Sequence, residues 1–147
     1  MAHKFSRNYV HVIFSTKDRR KSIAKEWQPR LWAYLGGICK HHDMVPLAAG
    51  ETENHVHLLL CLPPTLALAK AVLLLKANSS KWMNEQGKGF AWQIGYGAFS
   101  VSSSNLDQVT RYIQNQEAHH RKTSFEEEFR ALLRKHGVEC DPKYLLG

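Results

Sequence analysis

Cysteine is scarce in this chain, and the three present, Cys39, Cys61 and Cys140, stand far apart with no CxxC pair among them. That spacing builds neither a zinc knuckle nor a disulfide framework, and it suits a reducing compartment. Long apolar runs are also missing. The richest window, LALAKAVLLLKA, is broken by Lys70 and Lys76 and is too short to cross a bilayer. The N-terminal MAHKFSRNYV has no apolar heart of the signal-peptide kind. Internal repeats and low-complexity linkers are absent as well. These absences lead us to expect a single soluble domain over residues 1–147, cytoplasmic and without a membrane partner. Acid is in short supply too: 13 Asp and Glu stand against 20 Lys and Arg, for a net charge of +7 and a pI near 9.5. Such a surplus fits a polyanionic partner, most often nucleic acid, although a basic surface with no such partner gives the same count.

What is present is ordinary for a globular protein, 44% hydrophobic and 22% charged, and 147 residues are enough for one proper core. NYVHVIFST (8–16) is β-branched and aromatic and predicts the first strand, closed by the basic run KDRRK. Trp27, Leu31, Tyr34, Leu35 and Ile38 recur at helical spacing, predicting a helix over Lys25 to His42. MVPLAAG reads as the second strand, HVHLLLCL (55–62) as the third and GYGAFSVSS (95–103) as the fourth. Between the last two, Pro63 and Pro64 end a strand, Thr65 offers an N-cap, and a helix runs to about Gln86. Asn105 with Gln108 predicts a capped third helix. Ser124 with Glu127 predicts a fourth, with glutamates on its first turn, a stripe of Phe125, Phe129, Leu132 and Leu133, and Gly137 at its end. The order β-α-β-β-α-β is ferredoxin-like. It is an α+β fold with an antiparallel sheet, both crossover helices on one face, and two extra C-terminal helices.

Strand three holds an oddity. Its even residues, Val56, Leu58, Leu60 and Leu62, form a core face, and its odd face opens with His55 and His57. Period two puts both imidazoles on one side, a few ångströms apart. They are either a solvated pair or two metal ligands that need a third. The third helix, NLDQVTRYIQNQEAHHRK, sets Gln108, Tyr112, Gln116 and His120 four residues apart along one face. Gln116 offers an amide oxygen one turn from Tyr112. Two imidazoles and an amide oxygen leave open positions suited to Mg²⁺, Mn²⁺ or Zn²⁺, with oxygen-rich completion favouring the harder ions. Tyr112 is either a surface tyrosine or a nucleophile, and a phenol of pKa about 10 attacks a phosphodiester only when activated.

Taken together, HVIFSTKDRRK, HVHLLL, PPTLALAKAVLLLKANSSKW, FAWQIGYGAFSVS and YIQNQEAHHRK resemble the HUH transposases with a single catalytic tyrosine. These are the IS200-like transposases, including the REP-associated tyrosine transposases, and the likeness runs over nearly the whole chain. HUH denotes two histidines around a hydrophobic residue. The resemblance implies a nucleophilic Tyr112 on the third helix, and His55, His57 and Gln116 as ligands of Mg²⁺ or Mn²⁺. It implies cleavage and rejoining of single-stranded DNA through a 5′-phosphotyrosine link, a hairpin near the cut, and a homodimer. Where the family often has Asp before the first histidine, this chain has Asn54, whose carbonyl can orient the imidazole without a charge.

Candidate DNA contacts are Lys17, Arg19, Arg20 and Lys21 after strand one. Lys76, Ser79, Ser80 and Lys81 on helix two, and Arg111, Arg121 and Lys122 on helix three, are further candidates. His11 falls on the His-pair face of strand one, either as a satisfied sheet histidine or as support for the pair. Three other readings stay open on sequence: an RNA-recognition-motif-like binding module with GYGAF as its stacking strand, a water-using metal hydrolase, and a domesticated relative serving its host.

Overall fold

In the computed structural model, residues 5–119 and 123–139 are described. The sheet has four strands: β1 (Asn8–Ser15), β2 (Val45–Glu51), β3 (His55–Leu62) and β4 (Gly97–Val101), in the order β2-β3-β1-β4 with every pairing antiparallel. This is the expected ferredoxin-like arrangement. Helices α1 (Gln28–His41) and α2 (Leu68–Glu85) are the two crossovers. Among the described residues three further helices follow β4: α3 (Leu106–Gln114), α4 (Gln116–His119) and α5 (Phe125–Lys135).

Alternation along the strands sorts residues between two covered faces. Val10, Val12 and Phe14 of β1 and Val56, Leu58, Leu60 and Leu62 of β3 pack with Leu31, Leu35, Val72, Leu75 and Met83 of α1 and α2. On the other face two smaller apolar patches form. Ile13 and Phe99 hold Phe125, Phe129 and Leu133 of α5, and Ala48 and Leu59 hold Ile113 of α3. Burial of β3 is therefore nearly complete on both sides. The third strand thus leaves no open face on which bases could stack in the manner of an RNA-recognition motif.

Several boundaries differ from the sequence reading, each for a local reason. Helix α2 starts at Leu68 after Ala67, so Thr65 is not its cap. Strand β4 starts at Gly97 because the preceding segment folds along the end of β1. There Lys17 N–H donates to Ala91 C=O and Gln93 N–H donates to Ser15 C=O. A short 3₁₀ turn, Ser103–Asn105, leads into α3, and Asn105 makes no side-chain cap. The long third helix breaks at Asn115 into α3 and α4. Ser124 does cap α5, accepting from Glu127 N–H at 3.2 Å. His120, Arg121, Lys122 and Cys140 lie outside the described residues.

Gly50 of β2 sits directly under α3. A Cβ there would lie 1.8 Å from Ile113 C=O and 2.9 Å from Gln116 Cγ. The missing side chain is what lets α3 seat its C-terminal end on the sheet. Gly97 plays the same part for α5, where a Cβ would meet the Phe129 ring at 2.6 Å.

Next to Gly50, Glu51 points to the core side, paired with Val56. Both its carboxylate oxygens are buried without a hydrogen-bond partner among the described residues, and burial pushes its pKa up to about 8. The folded state thus holds a proton that the unfolded chain releases near pH 4.5. The associated stability is full below that pH and is lost as pH rises towards 8.

Two outcomes follow for stability. Gly50→Ala should cost about 1–3 kcal/mol through overpacking, and a thermal midpoint equal to the unsubstituted protein's would show that α3 moves aside freely. Glu51→Gln should stabilise by about 1–3 kcal/mol at pH 8 and by much less at pH 4.5. Melts at the two pH values check the sign, and an equal gain at both would contradict the buried-carboxylate account.

Candidate active site

Between the two apolar patches, the face of the sheet opposite α1 and α2 carries a polar cluster. Alternation on β3 delivers His55 and His57, and the β1–β3 register sets Ile13 opposite His57 and Ser15 opposite His55. Both imidazoles are almost wholly buried, at 1% and 0% exposure. A buried, unsupported imidazole pair would be costly, so their ring nitrogens need partners.

Those partners fix the orientation of the rings. His55 Nδ1 lies 2.9 Å from Asn54 Oδ1 and 2.7 Å from Thr52 Oγ1. The amide oxygen only accepts, so Nδ1 carries the hydrogen and Nε2 keeps its lone pair. Asn54 therefore provides the orienting carbonyl that the sequence suggested, with Thr52 beside it. His57 Nδ1 lies 2.8 Å from His11 Nε2. Burial, with the neighbouring His57, pulls the His11 pKa down to about 3. At neutral pH His11 is uncharged and can either donate to His57 or accept from it. His57 can thus present its Nε2 as an N–H or as a lone pair. His11 is the supporting residue on the His-pair face.

Helix α3 brings Tyr112 over the pair, its ring 5.9 Å from that of His57 and 6.2 Å from that of His11. Past the break at Asn115, Gln116 is buried with Oε1 3.4 Å from His55 Nε2. Gln116 also donates from Nε2 to Tyr112 C=O at 3.3 Å. The two residues predicted to meet the histidines do so, and all four come from one chain.

A fifth group was missed by the sequence reading. Glu128 of α5 is 3% exposed, and its Oε1 stands 2.9 Å from His57 Nε2 and 3.7 Å from His55 Nε2. Its Oε2 accepts the Tyr112 hydroxyl and lies 3.3 Å from His119 Nε2. Ligand atoms of His55, His57 and Glu128 lie within 4.8 Å of one another. Two imidazole nitrogens and a carboxylate oxygen at that separation fit a divalent cation. The signal for Glu128 was in the sequence. Phe125, Glu128, Phe129 and Leu132 stand at i, i+3, i+4 and i+7, so the glutamate falls in the apolar stripe. Three consecutive glutamates in a first turn instead read as dipole compensation. Tyr112 is held well above the ordinary phenol pKa, by burial first and then by the Glu128 hydrogen bond and charge. It is a neutral phenol whose hydrogen already has an acceptor.

The candidate DNA contacts divide by environment. Lys17, Arg20, Lys21, Lys81 and Arg111 are exposed. Arg19 lies in a left-handed turn (φ 53°), its guanidinium 3.1 Å from Glu126 and over the Phe125 ring of α5. Lys76 donates to three carbonyls, of Gln93, Ile94 and Gly95, and so ties down the segment before β4. Ser79 is fully buried, donating to Leu75 C=O and accepting from Trp92 Nε1. Ser80 lies half-buried, its hydroxyl 3.5 Å from Phe90 C=O. Arg121 and Lys122 follow α4, outside the described residues. Among the described residues no helix is long and apolar enough to cross a membrane.

Comparison with known proteins gives a consistent picture. The family described as "Transposase IS200 like" matches residues 4–116. The transposase of insertion sequence element IS200 from Salmonella typhimurium is 27% identical over 115 residues, covering 72% of this chain and 74% of that protein. The ISDra2 transposase TnpA of Deinococcus radiodurans is 27% identical over 126 residues, covering 77% and 90%. A candidate transposase from D. radiodurans, known as a crystal structure, superposes with a TM-score of 0.64 at 25% identity, covering 79% of this chain and 95% of that one. A REP-associated tyrosine transposase bound to a REP hairpin superposes with a TM-score of 0.62, covering 82% and 74%; at 13% identity it shares the fold.

Calorimetric titration with Mn²⁺ tests the ligand set without any reaction. His57→Ala should abolish binding. Glu128→Gln should weaken it by roughly ten- to a hundredfold, and Asn54→Ala by a similar factor through lost orientation of His55. Unaltered Mn²⁺ affinity in Glu128→Gln would remove the carboxylate from the set and leave Gln116 as the third ligand.

Proposed function

Because this chain belongs to the IS200-like transposase family, matched over residues 4–116, we propose that it cleaves and rejoins single-stranded DNA through a covalent 5′-phosphotyrosine link on Tyr112. The observation that carries this reading is convergence. Tyr112, Gln116, His55, His57 and Glu128 come from α3, α4, β3 and α5 and meet at one buried point.

Mg²⁺ or Mn²⁺ is the cofactor we propose, held by His55 and His57 with Gln116, Glu128 or both; when bound, such an ion polarises a phosphodiester and orients it for in-line attack. The remaining steps belong to the chain. Tyr112 Oη forms the new P–O bond, the P–O3′ bond breaks, and a strand with a free 3′-OH departs. The phenolic hydrogen already points at Glu128 Oε2, the group placed to take it. Since the resting phenol is neutral, attack depends on that acceptor and on the electrophile. Phenoxide leaves more readily than an alkoxide, so a DNA 3′-OH can later attack the phosphotyrosine and restore a phosphodiester without ATP. Asn54, Thr52 and His11 keep the two imidazoles aimed throughout.

DNA reaches this point past exposed cations. Lys17, Arg20 and Lys21 follow the end of β1, which pairs with the His55 end of β3. Arg111 on α3 adds a contact near Tyr112, and Lys81 on α2, Arg121 and Lys122 complete the set we propose for phosphates. A single strand with a hairpin near the cut is the proposed substrate, met in the cytoplasm. A homodimer is the expected assembly, although tyrosine and histidines already meet within one chain.

Incubation with labelled single-stranded DNA and Mn²⁺, followed by a denaturing gel, tests the mechanism. A covalent adduct should form and should vanish, by at least a thousandfold, in Tyr112→Phe. DNA cleavage that persists in Tyr112→Phe would favour a water-using hydrolase instead.

A further inference from the structure

A cavity of about 180 Å³ lies beside the polar cluster, enclosed by β4, α3 and α5. Sheet residues His11 and Phe99 form its floor, and Asn105, Gln108 and Tyr112 line its α3 side. His136, just past α5, lines the opposite side, with Lys135 next to it. None of these residues takes part in the chemistry proposed above except Tyr112 and, through His57, His11.

Resting on the transposase reading, we infer that this cavity is a subsite for one nucleobase of the single strand, the base adjoining the phosphate that Tyr112 attacks.

Size sets the class of occupant. The cavity is well below the roughly 300–1,000 Å³ of pockets that enclose whole ligands, so it admits one planar ring system and leaves sugar and phosphate outside. Its lining supplies both parts of single-strand base recognition, a ring to stack on and amides to read an edge. The Phe99 and His136 rings are stacked, centroids 4.4 Å apart at 15°. Phe99 is buried and His136 exposed, so the sheet backs a platform that faces the opening. Partial desolvation against Phe99, then the Lys135 charge, hold the His136 pKa below its ordinary value. Asn105 and Gln108 are exposed primary amides, each with a donor and an acceptor. Asn105 heads α3 without capping it, so its amide is not spent on the helix. Among the described residues no acidic one lines the cavity, and Lys135 is a cation for a neighbouring phosphate.

Position sets the register. The Tyr112 ring forms part of the wall while its hydroxyl faces Glu128 and the histidine pair. A base seated here is one side chain away from the reacting oxygen, the separation expected of the scissile phosphate and its own nucleotide. Base choice at the cut would then be made by the protein, before chemistry, by whichever edge the two amides satisfy.

The test uses the full chain, Mn²⁺ and a single-stranded pool in which fixed hairpins are flanked by random sequence. Adducts are recovered from a denaturing gel and the junctions sequenced. One base should be enriched at one position next to the junction. In the Asn105→Ala/Gln108→Ala double variant, adduct should form at reduced yield, enrichment at that position should fall about tenfold or more, and preferences elsewhere should survive. Equal enrichment in both proteins, or none beside the junction, overturns the subsite while leaving the transposase reading intact. Absence of adduct with the unsubstituted chain overturns that reading instead. In that case, or if the double variant forms no adduct, isotope-labelled Tyr112→Phe protein is titrated with each of the four deoxynucleoside monophosphates. Saturable shifts of the Asn105 and Gln108 side-chain amide signals support the subsite, and amide signals that none of the four moves overturn it.

Discussion

One carboxylate holds the functional face together. Glu128 reaches from α5 to His57 on β3, Tyr112 on α3 and His119 on α4. A buried carboxylate with partners on both oxygens satisfies groups that would otherwise be stranded on a dry sheet face. Removing it would leave a tyrosine hydroxyl and a histidine nitrogen facing each other across a gap. The three elements that cover this side of the sheet therefore agree on a common point, and that point is polar.

The apolar surroundings make the cluster effective. Ile13, Phe99, Phe125, Phe129 and Leu133 pack on one flank, and Ala48, Leu59 and Ile113 on the other. These apolar flanks lower the local dielectric, which strengthens the charges and dipoles between them. The two flanks are set by glycines at opposite edges of the sheet. Gly50 under α3 governs where Tyr112 and Gln116 sit, and Gly97 under α5 governs where Glu128 sits. A helix backbone resting on Gly50 and an aromatic ring resting on Gly97 thus set the distances among the clustered groups.

Much of this was legible in the sequence, and the rest was hidden for identifiable reasons. Strand periodicity told His55 and His57 apart from Val56 and Leu58, and helical periodicity placed Tyr112 and Gln116 together. The element order alone gave the sheet. The break at Asn115 was invisible because the four-residue spacing of polar groups runs straight through it. The start of α2 was misjudged because Thr65 is a good cap in isolation, whereas it lies within the turn that Leu66 N–H closes on Pro63 C=O, and the extended residue before the helix is Ala67. Glu128 escaped because local chemistry explained it twice over, as a first-turn acid and as one of three neighbours. Only its place in the apolar stripe distinguished it from Glu126 and Glu127. Ser79 and Lys76 illustrate the converse. A polar or basic residue on a helix suggests a ligand contact, yet here Trp92 and three carbonyls claim them.

The groups of the polar cluster lie far apart along the chain, from His11 on the first strand to Glu128 on the last described helix. Local structure alone therefore cannot assemble the whole of it. His55 and His57 can pair on a hairpin, but the carboxylate between them arrives only after α3 and α4 have been laid across the sheet. A chain cut short before α5 would keep both imidazoles and the tyrosine and lose the group that joins them.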